Sequence, residues 1–134
     1  MPVLKYLADT NAISDYFRPG NPVKDWFARH PGEIGISTLT LAEMRWGIEL
    51  KGDTKARREL ERLFKFVMED YHEAIFAFDE AAALEWGRMM AQAGNTIPYD
   101  DSLIGAIARS CELSVITRNE KHFPGCSTVN PWKD

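Results

Sequence analysis

The chain has 134 residues, about one domain's worth, and 45% of them are hydrophobic, so it can bury a core without disulfides or a structural metal. Its two cysteines, Cys111 and Cys126, lack CxxC spacing, which excludes a disulfide framework or zinc ribbon and fits reduced thiols in the cytoplasm. A formal net charge of −4 argues against a basic, sequence-independent nucleic-acid binder, yet leaves room for an enzyme that reaches phosphates through a bound cation.

The N-terminal "MPVLKYLADTN" carries an apolar run too short for a signal peptide or a membrane span. A soluble cytoplasmic protein with no membrane partner is therefore expected. "VLKYLA", Val3 to Ala8, reads as a buried strand that ends at Asp9. "TNAISDYFR" predicts a helix stopped by Pro19-Gly20. "NPVKDWFARH" predicts a second, capped by Asn21 with Pro22 at its first position. "EIGIS" is a second strand, followed by a helix from about Thr38 to Leu50.

Beyond Gly52, Asp53 or Thr54 opens a helix whose Leu60, Leu63, Phe64 and Val67 share one face. "EAIFAF" is a third strand, and Asp79 caps a helix that closes at Gly94. Asp100 opens a helix to Cys111, "LSVIT" is a fourth strand and "STVN" a fifth. Short buried strands alternating with helices predict an α/β domain with a mostly parallel sheet.

Sites in such sheets lie beyond the carboxyl ends of the strands. That directs attention to Asp9, Ser37, Asp79 and Thr117 to Asn119. Asp9 reads either as a helix cap or, since Thr10 and Asn11 also cap well, as a carboxylate free for other work. Glu43 falls beside the apolar stripe of Leu39, Trp46 and Leu50, the face expected to turn inward although Leu41, Met44 and Ile48 form a second stripe opposite; a carboxylate there is costly unless paired or bound to a cation. It either snorkels, pairs with an arginine such as Arg45, or is functional. In "IPYDDSLIGAIA" one carboxylate suffices to cap a helix; Asp100 fits that role, and Asp101 is either extra cap charge or a site residue.

If Asp9, Glu43 and Asp101 converge, their repulsion matters: two unit charges about 4 Å apart cost roughly 4 kcal/mol at an effective dielectric of about 20. Such a cluster needs raised pKa values or a divalent cation, and an all-oxygen donor set without Cys or His suits Mg²⁺ or Mn²⁺.

These segments resemble a family. "LADTNAIS", "ISTLTLAEMRWGI", "IPYDDSLIGAIA" and "VITRNEKHF", in that order and with a "VNPW" ending, are similar to the motifs of PIN-domain proteins, specifically the VapC/FitB-like toxins of type II toxin–antitoxin pairs. The resemblance spans residues 1–134 as a single PIN domain and implies a three-layer α/β/α sandwich. It implies a toxin that is an Mg²⁺- or Mn²⁺-dependent endoribonuclease, with Asp9, Glu43 and Asp101 as metal ligands and catalytic acids. Thr117 and Asn119 would position water or phosphate, and Arg45 or Arg118 would touch the RNA backbone. The implied partners are a VapB/FitA-like antitoxin, operator DNA reached only through that antitoxin, and a second copy in a homodimer.

The sequence departs from the family at the fourth motif, where many members carry an acid and this chain has Asn119. The alternative reading is a catalytically degenerate PIN domain that only binds an antitoxin or another protein. Phosphatases with a nucleophilic aspartate need a second aspartate two residues on, where Asn11 stands. None of His30, His72 and His122 shows metal-ligand spacing.

Overall fold

In a computed structural model the residues described are Val3 to Lys133. The centre is a parallel sheet of β1 (Tyr6–Ala8), β2 (Ile34–Ser37), β3 (Ile75–Phe76), β4 (Ser114–Ile116) and β5 (Thr128–Val129). Its spatial order is β3-β2-β1-β4-β5, with every pair parallel. β1 is thus the middle strand, in register with β2 (Tyr6 opposite Ile34) and β4 (Tyr6 opposite Ser114).

Alternation along the strands divides the core into two layers. Ala8, Ile34, Ile36 and Ile116 pack against α1 (Thr10–Tyr16), α2 (Val23–Ala28), α3 (Thr38–Glu49) and α4 (Lys55–Asp70). Leu7 and Val115 face the other way, onto α5 (Glu80–Ala93) and α6 (Tyr99–Ser110). The result is the expected three-layer α/β/α sandwich. Gly35 leaves space on β2: a Cβ there would stand 2.5 Å from Phe76 Cε2.

The helix starts follow local chemistry. Ser37, Thr54 and Asp79 cap α3, α4 and α5 through their side-chain oxygens. Gly94 ends α5 at φ +65°, a conformation that costs glycine little. Three expectations are corrected. The cap of α2 falls geometrically on Pro22, whereas Asn21 accepts from the Val23 N–H at 3.0 Å. Pro98, not Asp100, stands at the cap position of α6: it is itself extended (φ −55°, ψ 141°), a common proline conformation, and the helix begins at Tyr99. Asp100 and Asp101 therefore both lie in the first turn.

The third correction concerns α3. Trp46 and Leu50 are 68% and 72% exposed, while Leu41 and Met44 pack into the core and Ile48 is buried. The second of the two stripes, Leu41, Met44 and Ile48, goes inward instead of the first, of which only Leu39 packs, against the other core layer. Among the described residues no helix is long and apolar enough to cross a membrane.

Candidate active site

β1, β2 and β4 all end at one edge of the sheet; Asp9 follows β1 there, and Asp101 lies close enough to act by its charge on both Asp9 and Glu43. Asp9 follows β1 directly and is 3% exposed. It is also the cap of α1: its Oδ1 accepts from the Ala12 N–H at 2.8 Å. Thr10 and Asn11 do not cap, so Asp9 is not free of structural work, as the alternative reading held. The strand ends at Ala8, which leaves Asp9 as the last extended residue.

Burial is the main reason the Asp9 carboxyl is pushed up to about 6, with the Asp101 charge adding to the rise. Hydrogen bonds from the Thr117 hydroxyl and the Ala12 amide, and the Arg118 charge, pull it back. Thr117 is fully buried, and its Oγ1 accepts from the Asn119 N–H at 3.0 Å. That bond shapes the loop after β4. The Asn119 side chain is half-buried beside it.

Glu43 lies on α3, half-buried, and does not pair with Arg45. Arg45 is engaged by Glu49 and by Glu61 of α4. Glu43 accepts instead from the Thr10 hydroxyl at 2.8 Å. Because that hydroxyl donates its one proton to Glu43, its 3.0 Å bond with Thr40 is donated by Thr40. Burial raises the Glu43 pKa most, and the charges of Asp100 and Asp101 raise it further.

Asp101 projects from the first turn of α6, where the helix dipole favours an anion. Its Oδ2 meets His122 Nδ1 at 2.8 Å. Burial raises its pKa, and the His122 hydrogen bond opposes the rise. Asp100 is exposed and accepts from the Asp101 N–H at 3.1 Å; its charge acts on both Glu43 and Asp101.

Sequence reasoning singled out Asp9, Glu43, Asp101, Thr117 and Asn119. It missed Thr10, Thr40 and His122. Thr10, just past the end of β1, carries the ordinary signal of a strand-end hydroxyl; Thr40, inside the first turn of α3, carries none. His122 had none, since its partner is 21 residues away.

Among the described residues no three His, Cys, Asp or Glu side chains close on one point tightly enough to chelate an ion as placed. The Asp101 charge nonetheless acts on both Asp9 and Glu43. Hydroxyls, one imidazole and one guanidinium are the groups that offset the carboxylate charges. Hard oxygen donors with raised pKa values fit a divalent cation such as Mg²⁺ or Mn²⁺ better than zinc. Beside Glu43, an apolar groove of about 540 Å³ runs between α1, α3 and α4, lined by Ile13, Phe17, Met44 and Leu63 with Arg18 at its rim.

The PIN domain family profile matches residues 6–124. Ribonuclease VapC10 of Mycobacterium tuberculosis is 30% identical over 128 residues, covering 93% of this chain and 90% of the relative. The tRNA(fMet)-specific endonuclease VapC of Shigella flexneri is 29% identical over 126 residues, covering 90% of this chain and 91% of its own. The FitAcB structure from Neisseria gonorrhoeae superposes with a TM-score of 0.85 at 30% identity, over 95% of this chain and 98% of that one.

Proposed function

The chain belongs to the PIN-domain family, among its VapC-type ribonucleases, and on that premise we propose that it is the toxin of a type II toxin–antitoxin module. It acts as a divalent-metal-dependent endoribonuclease that cleaves RNA phosphodiester bonds. The observation that carries this reading is the set of Asp9, Glu43 and Asp101 at the carboxyl edge of β1, β2 and β4. Burial is the largest cause of the raised pKa of each; the Asp101 charge adds to the rise of Asp9 and Glu43, and the Asp100 charge to that of Glu43 and Asp101. The domain corresponds to residues 1–134 and works in the cytoplasm.

Asp9, Glu43 and Asp101 would hold Mg²⁺ or Mn²⁺. A bound divalent cation supplies charge neutralisation at the scissile phosphate and makes water more acidic. The chain's own residues do the rest. Thr10 fixes the Glu43 carboxylate from one side, with Thr40 fixing Thr10 in turn. His122 fixes Asp101. The Thr117 hydroxyl supports Asp9, and its bond from the Asn119 amide sets the loop that presents Asn119 for water or phosphate.

The partners follow from the same likeness. The groove beside Glu43, with Phe66 and Leu50 exposed near it, suits an apolar segment of a VapB/FitA-like antitoxin. The FitAcB likeness supports that partner. Operator DNA is reached through the antitoxin, and the toxin pairs with a second copy. The competing reading, a catalytically degenerate binding module, is favoured by one observation: Asn119 stands where many members carry an acid.

The test uses antitoxin-free protein and a pool of tRNA, rRNA and mRNA, in EDTA and then with Mg²⁺ or Mn²⁺. Discrete metal-dependent fragments, absent with Asp101→Asn, are expected. Intact RNA with either ion, from protein shown to be folded and partner-free, overturns the ribonuclease and leaves the binding module.

A further inference from the structure

Asp15, outside the proposed metal-binding set, is a buried carboxylate with its side chain 6% exposed. A buried charge is costly unless paired, and three donors converge on this one. The Trp132 indole Nε1 donates to Oδ2 at 3.0 Å. Arg118 Nη1 stands 3.5 Å from the same oxygen, and Arg18 Nη1 stands 3.4 Å from Oδ1. Arg118 also lies over the Trp132 ring, its Cζ 5.6 Å from the centroid. One tryptophan from the end of the chain thus fixes the carboxylate with its N–H and the guanidinium with its face.

The placement matters because Arg118 directly follows Thr117, which hydrogen-bonds Asp9. It is 47% exposed at the rim of a site that is otherwise acidic. A guanidinium has five N–H donors, and Asp15 engages one nitrogen of Arg118 at long range. The Arg118 charge acts on the Asp9 carboxyl, so the half-exposed guanidinium stands within electrostatic reach of the site. Arg45, the other arginine considered for RNA contact, is instead tied to Glu49 and Glu61.

We propose that Arg118, aimed by Asp15 and Trp132, grips a backbone phosphate of single-stranded RNA beside the carboxylate site. Asp15 and Trp132 are positioning residues. This rests on the ribonuclease reading for its substrate class, and it explains how a chain of net charge −4 holds a polyanion.

The test is binding of a fluorescein-labelled single-stranded oligoribonucleotide by anisotropy, in EDTA so that nothing is cleaved, across a KCl series. Arg118→Gln is expected to weaken binding by about tenfold, as loss of a charge-assisted contact does. It is also expected to flatten the plot of log Kd against log salt by about 0.7, one phosphate contact on a single strand. Arg58→Gln, the same charge change on α4, keeps the wild-type slope. Trp132→Phe retains the ring and loses the N–H; it is expected to weaken binding by about threefold with the wild-type slope, since the contact persists but is less well aimed. Circular dichroism verifies that each variant is folded. An Arg118→Gln slope equal to the wild type overturns the proposal. The two readings fail separately: intact RNA with Mg²⁺ or Mn²⁺ removes the nuclease and leaves the arginine effect on binding, whereas normal cleavage with an unchanged slope removes only the arginine.

Discussion

His122 Nδ1 stands 2.8 Å from Asp101 Oδ2 and so fixes the orientation of the carboxylate that α6 delivers to the site. The loop after β4, whose Phe123 packs against α6, thereby braces a side chain of that helix. Partners that orient a ligating group typically contribute 10–100-fold in metal affinity. His122→Ala is therefore expected to raise the Mn²⁺ concentration for half-maximal cleavage by about tenfold, with little change in thermal midpoint because the pair is partly exposed. An unchanged Mn²⁺ titration would show that Asp101 needs no brace.

Asp9 links the site to stability. Its carboxyl rises from 3.8 to about 6 on folding. Below pH 3.8 it is protonated in both the folded and unfolded chain, so its ionisation costs nothing. Between 3.8 and about 6 the unfolded chain releases the proton first, and stability falls as pH rises. Above that window the loss is constant at about 3 kcal/mol. Asp9→Asn keeps a capping oxygen for Ala12 and removes the charge. The amide leaves the buried Thr117 hydroxyl without its acceptor, which offsets part of the gain; urea denaturation of metal-free protein is expected to find the variant more stable than wild type by about 1–2 kcal/mol at pH 7.5, with the gap closing towards pH 4 as the wild-type carboxyl takes up its proton. A gap that does not depend on pH would refute the assignment.

A divalent cation should reverse that penalty. Mg²⁺ or Mn²⁺ is expected to raise the thermal midpoint saturably, by roughly 5–10 °C at a hundred times the dissociation constant. Asp9→Asn and Glu43→Gln should each lose most of the shift while unfolding cooperatively. Equal shifts in all three proteins would mean that the ion binds elsewhere.

Asp9 was legible because strand ends are: β1 stops where a short apolar run stops. Glu43 is read from its place beside an apolar stripe, and Asp101 from the doubled carboxylate at a helix start. What failed was choice among equals. α3 carries two apolar stripes, and hydropathy cannot say that Met44 and Ile48 go inward while Trp46 and Leu50 stay out. Asp9, Thr10 and Asn11 all cap well, and only the end of β1 decides for Asp9. At α6 the expected cap lost to Pro98, whose own extended backbone holds the cap position. The Asp101–His122 and Asp15–Trp132 pairs join residues 21 and 117 positions apart, and no periodicity carries such a contact.

Thr10 offers the sharpest test of the hydroxyl relay. Thr10→Val keeps the shape at the start of α1 and removes the donor to Glu43. It also strands the Thr40 hydroxyl, which is fully buried. An orphaned buried hydroxyl costs about 1–3 kcal/mol, so a loss of that size is expected in urea denaturation. The effect on activity has a definite sign. The Thr10 bond lowers the Glu43 pKa against the rise from burial, so without it Glu43 ionises at higher pH. The acidic limb of the pH profile for Mn²⁺-dependent cleavage should move to higher pH, with activity recovering towards wild type as Glu43 becomes charged. A drop in activity that is uniform at every pH would place Thr10 in packing alone and leave Glu43 to be held by other means.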